Sequence, residues 1–408
     1  MHAIKSFLTP SYEGNILKFF IYRILYNFML FLPVWVIFMQ DKFGLTLTEV
    51  TLNDAAFWIT MALTEVPTGA VADTWGRKQS QVIGMVVATL SILTFALAPV
   101  YPLVLIANSL WAVGITFISG AELALLYDTL KELGREDEYP LYRGRLQAMV
   151  LISIAISSVL GGVIGEFSLV STFTITALVM AIATVFVLLL KEPPREPDSV
   201  TGRNLTYVET LKITINAVRM NKPLRYALLF SSLLPLLGGS IQVTFMQPYA
   251  VGIGLPIASL GMIALGIRLS QIIGSLNSSR ILKVMSEWHW LQVAPIIISF
   301  GIVSLGLFNS VTGIILFALT EFATAVTGPL IEKNILQLTP GTIRATILSV
   351  DSLFLRLLLG FVGPSIGVVA DHFSLSVAFW SFGIALGIIL MLVLLLWGKV
   401  RQTINYSV

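Results

Sequence analysis

Glu321 stands with ten uncharged residues on either side of it, in the run Leu319-Thr320-Glu321-Phe322-Ala323. Six more ionisable side chains interrupt long apolar stretches in the same way: Arg268, Arg356, Asp351, Arg23, Glu65 and Glu122. An unpaired charge at the centre of a bilayer costs roughly 2.5 kcal/mol or more, so such groups face a partner or an aqueous path, and they mark ion or substrate routes. A carboxyl at that depth, whose protonation its neighbours set, is a candidate proton carrier or substrate ligand. The competing reading of Glu321 is a static ion pair with Arg268 or Arg356. Asp351 and Arg356 are five residues apart, about 140° around a helix, so each must find its partner on another helix. Glu65 is the expected partner of Arg23.

The elements that carry these groups follow from composition. Of 408 residues, 56% are hydrophobic and 12% charged, which excludes an ordinary soluble domain. Twelve apolar runs are long enough to span a roughly 30 Å hydrocarbon core: 18–39, 50–71, 79–98, 102–126, 146–166, 170–190, 223–248, 256–279, 289–307, 310–332, 344–369 and 374–397. The first is too long for the apolar core of a signal peptide and is expected to remain as a span. An even number places both termini on one side. With the N-terminus inside, 21 of the 25 Lys and Arg residues fall in cytoplasmic segments, Lys42 falls outside, and Arg23, Arg268 and Arg356 lie within spans. Positive charge is retained in the cytoplasm, so the expectation is a multi-pass protein of the plasma or inner membrane with both termini cytoplasmic. Arg268, Glu321 and Arg356 then lie near the midplane, and Arg23, Glu65 and Glu122 between it and the cytoplasmic face. Asp128, near the inner end of the fourth span, reads as solvated.

There are no cysteines and only three scattered histidines, so thiol chemistry and a histidine metal site are excluded. No cofactor is expected. Neither a phosphate-binding glycine loop nor a serine nucleophile elbow is present, which argues against an enzyme and against direct ATP drive. The stretch Lys191-Glu-Pro-Pro-Arg-Glu-Pro197 opens a polar linker. The expected organisation is a six-helix bundle over 1–190, a linker over 191–222 and a second six-helix bundle over 223–408. Leu205, Val208, Leu211, Ile215 and Val218 recur at helical spacing, which suits an amphipathic helix on the inner leaflet. A faint repeat supports two equivalent halves: Arg145 and Gly161 recur as Arg344 and Gly360 with the same offset of 199.

Between the second and third runs stands Gly69-Ala-Val-Ala-Asp73-Thr-Trp-Gly76-Arg77-Lys78. The glycines permit close helix approach and a tight turn, Asp73 can accept from the free amides of a nearby helix start, and Arg77 and Lys78 fix the loop inside. This pattern resembles the signature loop of the major facilitator superfamily, and the twelve runs and central linker extend the resemblance over essentially the whole chain. The chain departs from the pattern in having Thr74 where a basic residue commonly follows the aspartate. Ser157-x-x-x-Gly161-Gly162-x-x-Gly165-Glu166 partly resembles a pattern associated with antiporter-type exporters, although such small residues also serve any closely packed helix pair. Glu65-Val-Pro67-Thr-Gly69 and Ser119-Gly-Ala-Glu122-Leu-Ala-Leu-Leu-Tyr127-Asp128 look like a prokaryotic branch of the superfamily.

The resemblance implies an all-α polytopic fold of two six-helix bundles, with the first, fourth, seventh and tenth spans lining a cavity. Tyr26, Asn27, Trp35, Asn108, Trp111, Gln242, Phe245 and Gln247 are then candidate lining residues. Pro33, and Pro235 with Gly238 and Gly239, interrupt the first and seventh runs and could let them bend during alternating access. The expected activity is proton-coupled export of a small organic, drug-like compound by a monomer that uses neither nucleic acid nor metal. Uptake of an anionic metabolite, and a transport-inactive sensor of the same fold, are the alternatives.

Overall fold

The computed structural model describes residues 11–194, 218–339 and 343–405. These are almost wholly helical, with no strand among them. The expected amphipathic helix of the linker lies outside the described residues but for Val218.

The first apolar run is not one helix. α1 (Tyr12–Tyr26) ends at Asn27, whose Nδ2 donates to the Arg23 carbonyl at 2.8 Å, and turns containing Pro33 lead into α2 (Trp35–Phe43). Ser11 caps the start of α1 by accepting from Gly14 N. α3 (Leu47–Trp75), α4 (Arg77–Leu97), α5 (Tyr101–Glu132), α6 (Tyr139–Phe167) and α7 (Leu169–Leu188) follow. In the turn before α6, Arg135 Nε and Nη2 donate to Glu138 at 2.8 Å each, and those bonds hold the partly exposed Glu138 carboxyl below its ordinary value.

The seventh run is also broken. α8 (Lys222–Leu233) stops short of Pro235, α9 (Leu236–Ser240) is a single short stretch, a π-helical turn occupies Ile241–Phe245, and α10 (Met246–Gly252) completes the crossing. Proline removes an amide and crowds the preceding turn, and a π-turn absorbs the mismatch. The remaining helices are α11 (Ala258–Val284), α12 (Glu287–Phe308), α13 (Val311–Gln337), α14 (Arg344–His372) and α15 (Leu375–Asn405).

Ten helices among the described residues are long and apolar enough to cross a membrane. α3, with 29 residues, is about 43 Å long but carries Glu49, Asp54, Glu65 and Asp73. Most helices run a turn or more past the apolar runs, because hydropathy registers only the hydrocarbon crossing while the helix continues into the headgroup layer.

Contacts divide the chain into two units, Met1–Leu45 with Asn53–Ser199 and Pro256–Met262, and Thr46–Leu52 with Val200–Leu255 and Ile263–Val408. In the first, Phe173 of α7 stacks with Phe31 and Phe95 at 4.9 and 5.7 Å and lies 4.3 Å from Phe38. α4 and α5 meet backbone to backbone, since a Cβ on Gly84 would lie 2.6 Å from Gly114 O. Gly84→Ala should therefore force the two helices apart and cost about 1–3 kcal/mol, read as a lower melting temperature in detergent. Gly69→Ala, where a Cβ meets open space, serves as the control and should leave melting unchanged; equal losses in both variants would refute the packing account.

In the second unit α11 and α13 lock through a ladder of period four. Ser270 Oγ donates to Ala318 O at 2.5 Å, a Cβ on Gly274 would lie 2.5 Å from Phe322 O, and Ser278 Oγ donates to Val326 O at 3.1 Å. Small residues and hydroxyls on one helix face permit this close approach within a membrane.

Candidate functional site

That ladder fixes the register of the second unit's polar cluster. Gln271, adjacent to Ser270, is held facing α13, and its Nε2 donates to Glu321 Oε2 at 2.5 Å and to Gln242 Oε1 of the π-turn at 3.2 Å. Glu321 is 4% exposed. Its other oxygen, Oε1, has no hydrogen-bond partner among the described residues and lies where the missing side chain of Gly238 leaves room: a Cβ there would sit 2.5 Å from it. The glycine after the Pro235 break thus makes space for the carboxyl. Thr320, the preceding residue, donates to Ile298 O at 3.0 Å and ties α13 to α12, so the backbone beneath Glu321 is held on two sides. The hydrogen-bond partner of Glu321 is the Gln271 amide, while Arg268 acts on it through its charge. Arg268, half-buried on α11 one turn before Gln271, makes no salt bridge within 4 Å among the described residues.

Asp351 meets the requirement for a partner on another helix. Ser231 and Ser232 of α8 donate to its two oxygens at 2.8 and 2.9 Å. Arg356, further along α14, is partly exposed. Of the candidate lining residues in this unit, Gln242 belongs to the cluster. Phe245 is fully buried, with Phe379 at 6.4 Å, and Gln247 donates back to Val243 O one turn earlier.

In the first unit Arg23 of α1 forms an ion pair with Glu122 of α5, the two side chains 13% and 14% exposed. Sequence spacing assigned Arg23 to Glu65; the correction arises because α1 lies against α5, α6 and α7, while Glu65 on α3 is exposed. The guanidinium carbon also lies 6.0 and 5.7 Å from the ring centres of Tyr22 and Tyr26, within the range of a cation–π contact. Tyr22, fully buried, is a member of this cluster that spacing did not reveal. Asn27 is spent on capping α1, and Trp35 is buried at the start of α2. Asn108 donates to Asn53 O and ties α5 to α3. The Trp111 ring touches Phe31 and Phe57, and its Nε1 has no hydrogen-bond partner among the described residues.

The signature loop is a hinge of one residue. Gly76 at φ +124° joins α3 to α4 in a conformation that side chains disfavour. The amides of Arg77 and Lys78, free at the start of α4, donate to the two Glu192 oxygens at 2.8 and 2.7 Å. Asp128 is not merely solvated, because Arg77 pairs with it and also donates to Ala124 O at 2.9 Å. Gly69 makes no close approach that glycine alone permits. The side chain of Asp73 lies outside the described residues. The exporter-like glycines are packing positions: Cβ atoms at Gly161 and Gly162 would collide with Leu30 O and Ala258 O.

A family model described as Major Facilitator Superfamily matches residues 24–313. No curated protein matches the sequence. Among solved structures, a point mutant of the nucleoside transporter NupG is similar over 94% of this chain and 99% of its own, at 14% identity and a TM-score of 0.77. A bacterial homologue of the human lysosomal transporter Spinster is similar over 96% and 97%, at 14% identity and 0.72. A D-xylose–proton symporter is similar over 94% and 97%, at 14% identity and 0.70.

Proposed function

This chain belongs to the major facilitator superfamily and is a transporter rather than an enzyme, and we propose that it exports a small organic, drug-like compound in exchange for protons by alternating access. Twelve spans make two six-helix bundles, 1–190 and 223–408, joined by the linker 191–222, in the plasma or inner membrane. The broken first run and α3 supply the two crossings beyond the ten long apolar helices. The observation that carries the coupling assignment is Glu321: buried, held through one oxygen by an amide, its other oxygen unmatched among the described residues. A carboxyl so placed can take up and release a proton without breaking an ion pair, which a static structural carboxylate cannot.

Proteoliposomes loaded with a pH-sensitive dye test this reading. Addition of organic cations, neutral nucleosides or sugars, and organic anions in turn should move protons for one class and not the others. Substrate flux with no proton movement in any class would overturn the coupling. Arg268, half-buried and with no salt bridge within 4 Å among the described residues, favours a second reading, uptake of an anionic metabolite, in which the anion class responds and Arg268→Gln abolishes the response.

Orientation is checked separately. Cysteines introduced at Ser199 and Thr403 of this cysteine-free chain should react with an impermeant maleimide only from the cytoplasm, and one at Ser374 only from outside. External labelling of Ser199 would reverse the assignment.

A further inference from the structure

The seventh run is weakest where Gln242 stands. Its π-helical turn, Ile241–Phe245, lies between two prolines. Pro235 breaks the run before α9, and Pro248 of α10 has no amide to give the Thr244 carbonyl four residues earlier. A π-turn is wider than the α-register around it, and such turns recur at functional sites. Beyond it α10 is anchored, since Tyr249 Oη donates to Leu305 O and accepts from Ser310 N, both at 3.0 Å. A change in the turn is therefore confined to the residues between Pro235 and Tyr249.

Gln242 is tied to α11 through one nitrogen. Gln271 Nε2 has two hydrogens, and it spends one on Gln242 Oε1 and the other on Glu321 Oε2. A carboxylate only accepts, so this is the arrangement an ionised Glu321 makes. Once protonated, it has a hydrogen to donate. Oε1 has no hydrogen-bond partner among the described residues and lies where a Cβ on Gly238 would stand, whereas Oε2 faces Gln271. The new O–H bond on Oε2 needs an acceptor, and Gln271 supplies one by turning its amide over. Its oxygen then stands where Nε2 stood, opposite Gln242 Oε1. Two acceptors repel, so Gln242 must turn its own nitrogen inward or withdraw.

We infer that Gln271 and Gln242 form an amide relay that carries the protonation state of Glu321 to the π-turn, which shifts its register in response. The inference rests on the reading of Glu321 as the coupling carboxyl. Both glutamines are positioning residues; the proton stays on Glu321. That carboxyl is packed by α11, by α12 through Thr320 and by α9 at Gly238. Among the described residues Arg268 of α11 is the charge that acts on it. α9 has no titratable side chain, and Tyr249 of α10 is engaged as above. Glu287 and His289 lie in the first turn of α12, on Lys333 and Ser286, and Lys222, Arg225 and Tyr226 lie in the first two turns of α8.

The test places a trifluoromethyl label on Val243→Cys, in the π-turn and 39% exposed, in this cysteine-free chain. In nanodiscs, fluorine NMR reads the turn and difference infrared spectra read the Glu321 carboxyl. The label signal should step with pH at the midpoint of the carboxyl band, and Glu321→Gln should abolish both. Gln242→Leu cuts only the second link. Its carboxyl band should still titrate while the label no longer steps, and accumulation on a gradient of one pH unit should fall from about tenfold to about onefold, with downhill exchange intact. A Gln242 that serves packing alone would displace the signal at every pH and leave the step. That result, or a step that survives Glu321→Gln, overturns the relay. A carboxyl that titrates with Gln242 intact while the label never moves overturns the relay and leaves Glu321 as the coupling group. The absence of any titrating band that Glu321→Gln removes overturns relay and coupling reading together. Should Gln242→Leu fail to fold, Gln242→Asn, which keeps the amide but is one methylene too short to reach Gln271, carries the same test.

Discussion

Glu321→Gln will leave a folded protein that no longer concentrates its substrate. Glutamine has the shape of glutamate, and its amide oxygen can accept the Gln271 hydrogen bond in place of Oε2, so the α11–α13 ladder around it persists. What is lost is the exchangeable proton. A gradient of one pH unit is worth about 1.4 kcal/mol per proton, so with one proton per cycle the wild type should accumulate substrate about tenfold. The variant should equilibrate at onefold, while substrate exchange down its own gradient continues. Uphill accumulation in Glu321→Gln at the wild-type level would remove Glu321 from coupling. Loss of folded protein would instead mark Glu321 as a structural group. Gly238→Ala approaches the same site from the opposite side: its Cβ takes the space of Glu321 Oε1, and it should impair coupling with the carboxyl still present.

Much of the fold was legible because a bilayer leaves few solutions: runs of about twenty apolar residues must be helices. The breaks were legible in part. Pro33 and Pro235 flagged the first and seventh runs, but nothing in the sequence placed the end of α1 at Tyr26, seven residues before the proline, where Asn27 caps the helix with its own side chain. Individual charges inside apolar runs were equally visible, since each stands against its neighbours. Their partners were not. Glu65 and Glu122 are equivalent candidates for Arg23 by depth, and only the packing of α1 on α5 chooses between them. Glu192 at the start of α4 and Asp371 at the start of α3 escaped sequence reading altogether. Each sits 114 or more residues from the amides it caps, and an acid near the end of an apolar run looks like any solvated one.

Glu122→Ala should be the most destabilising single change in the first unit. Glu122 is the ion-pair partner of Arg23, and both side chains are largely shielded from water. The Tyr22 and Tyr26 rings beside the guanidinium attract it but cannot accept its charge as a carboxylate does. Removing one member of a buried pair costs about 3–5 kcal/mol, because the survivor keeps its desolvation penalty and loses its compensation. The expected result is a large drop in melting temperature in detergent and a poor yield of monodisperse protein. A cavity at Glu122 would also destabilise, so the charge must be tested apart from the volume. Arg23→Met combined with Glu122→Leu removes both charges while retaining most of the packing, and replacing a buried pair by apolar residues is often neutral or stabilising. The double variant should therefore recover most of the stability that Glu122→Ala loses. If it remains as unstable as the single variant, the loss belongs to the packing of α1 on α5, and the Arg23–Glu122 pair contributes nothing through its charge.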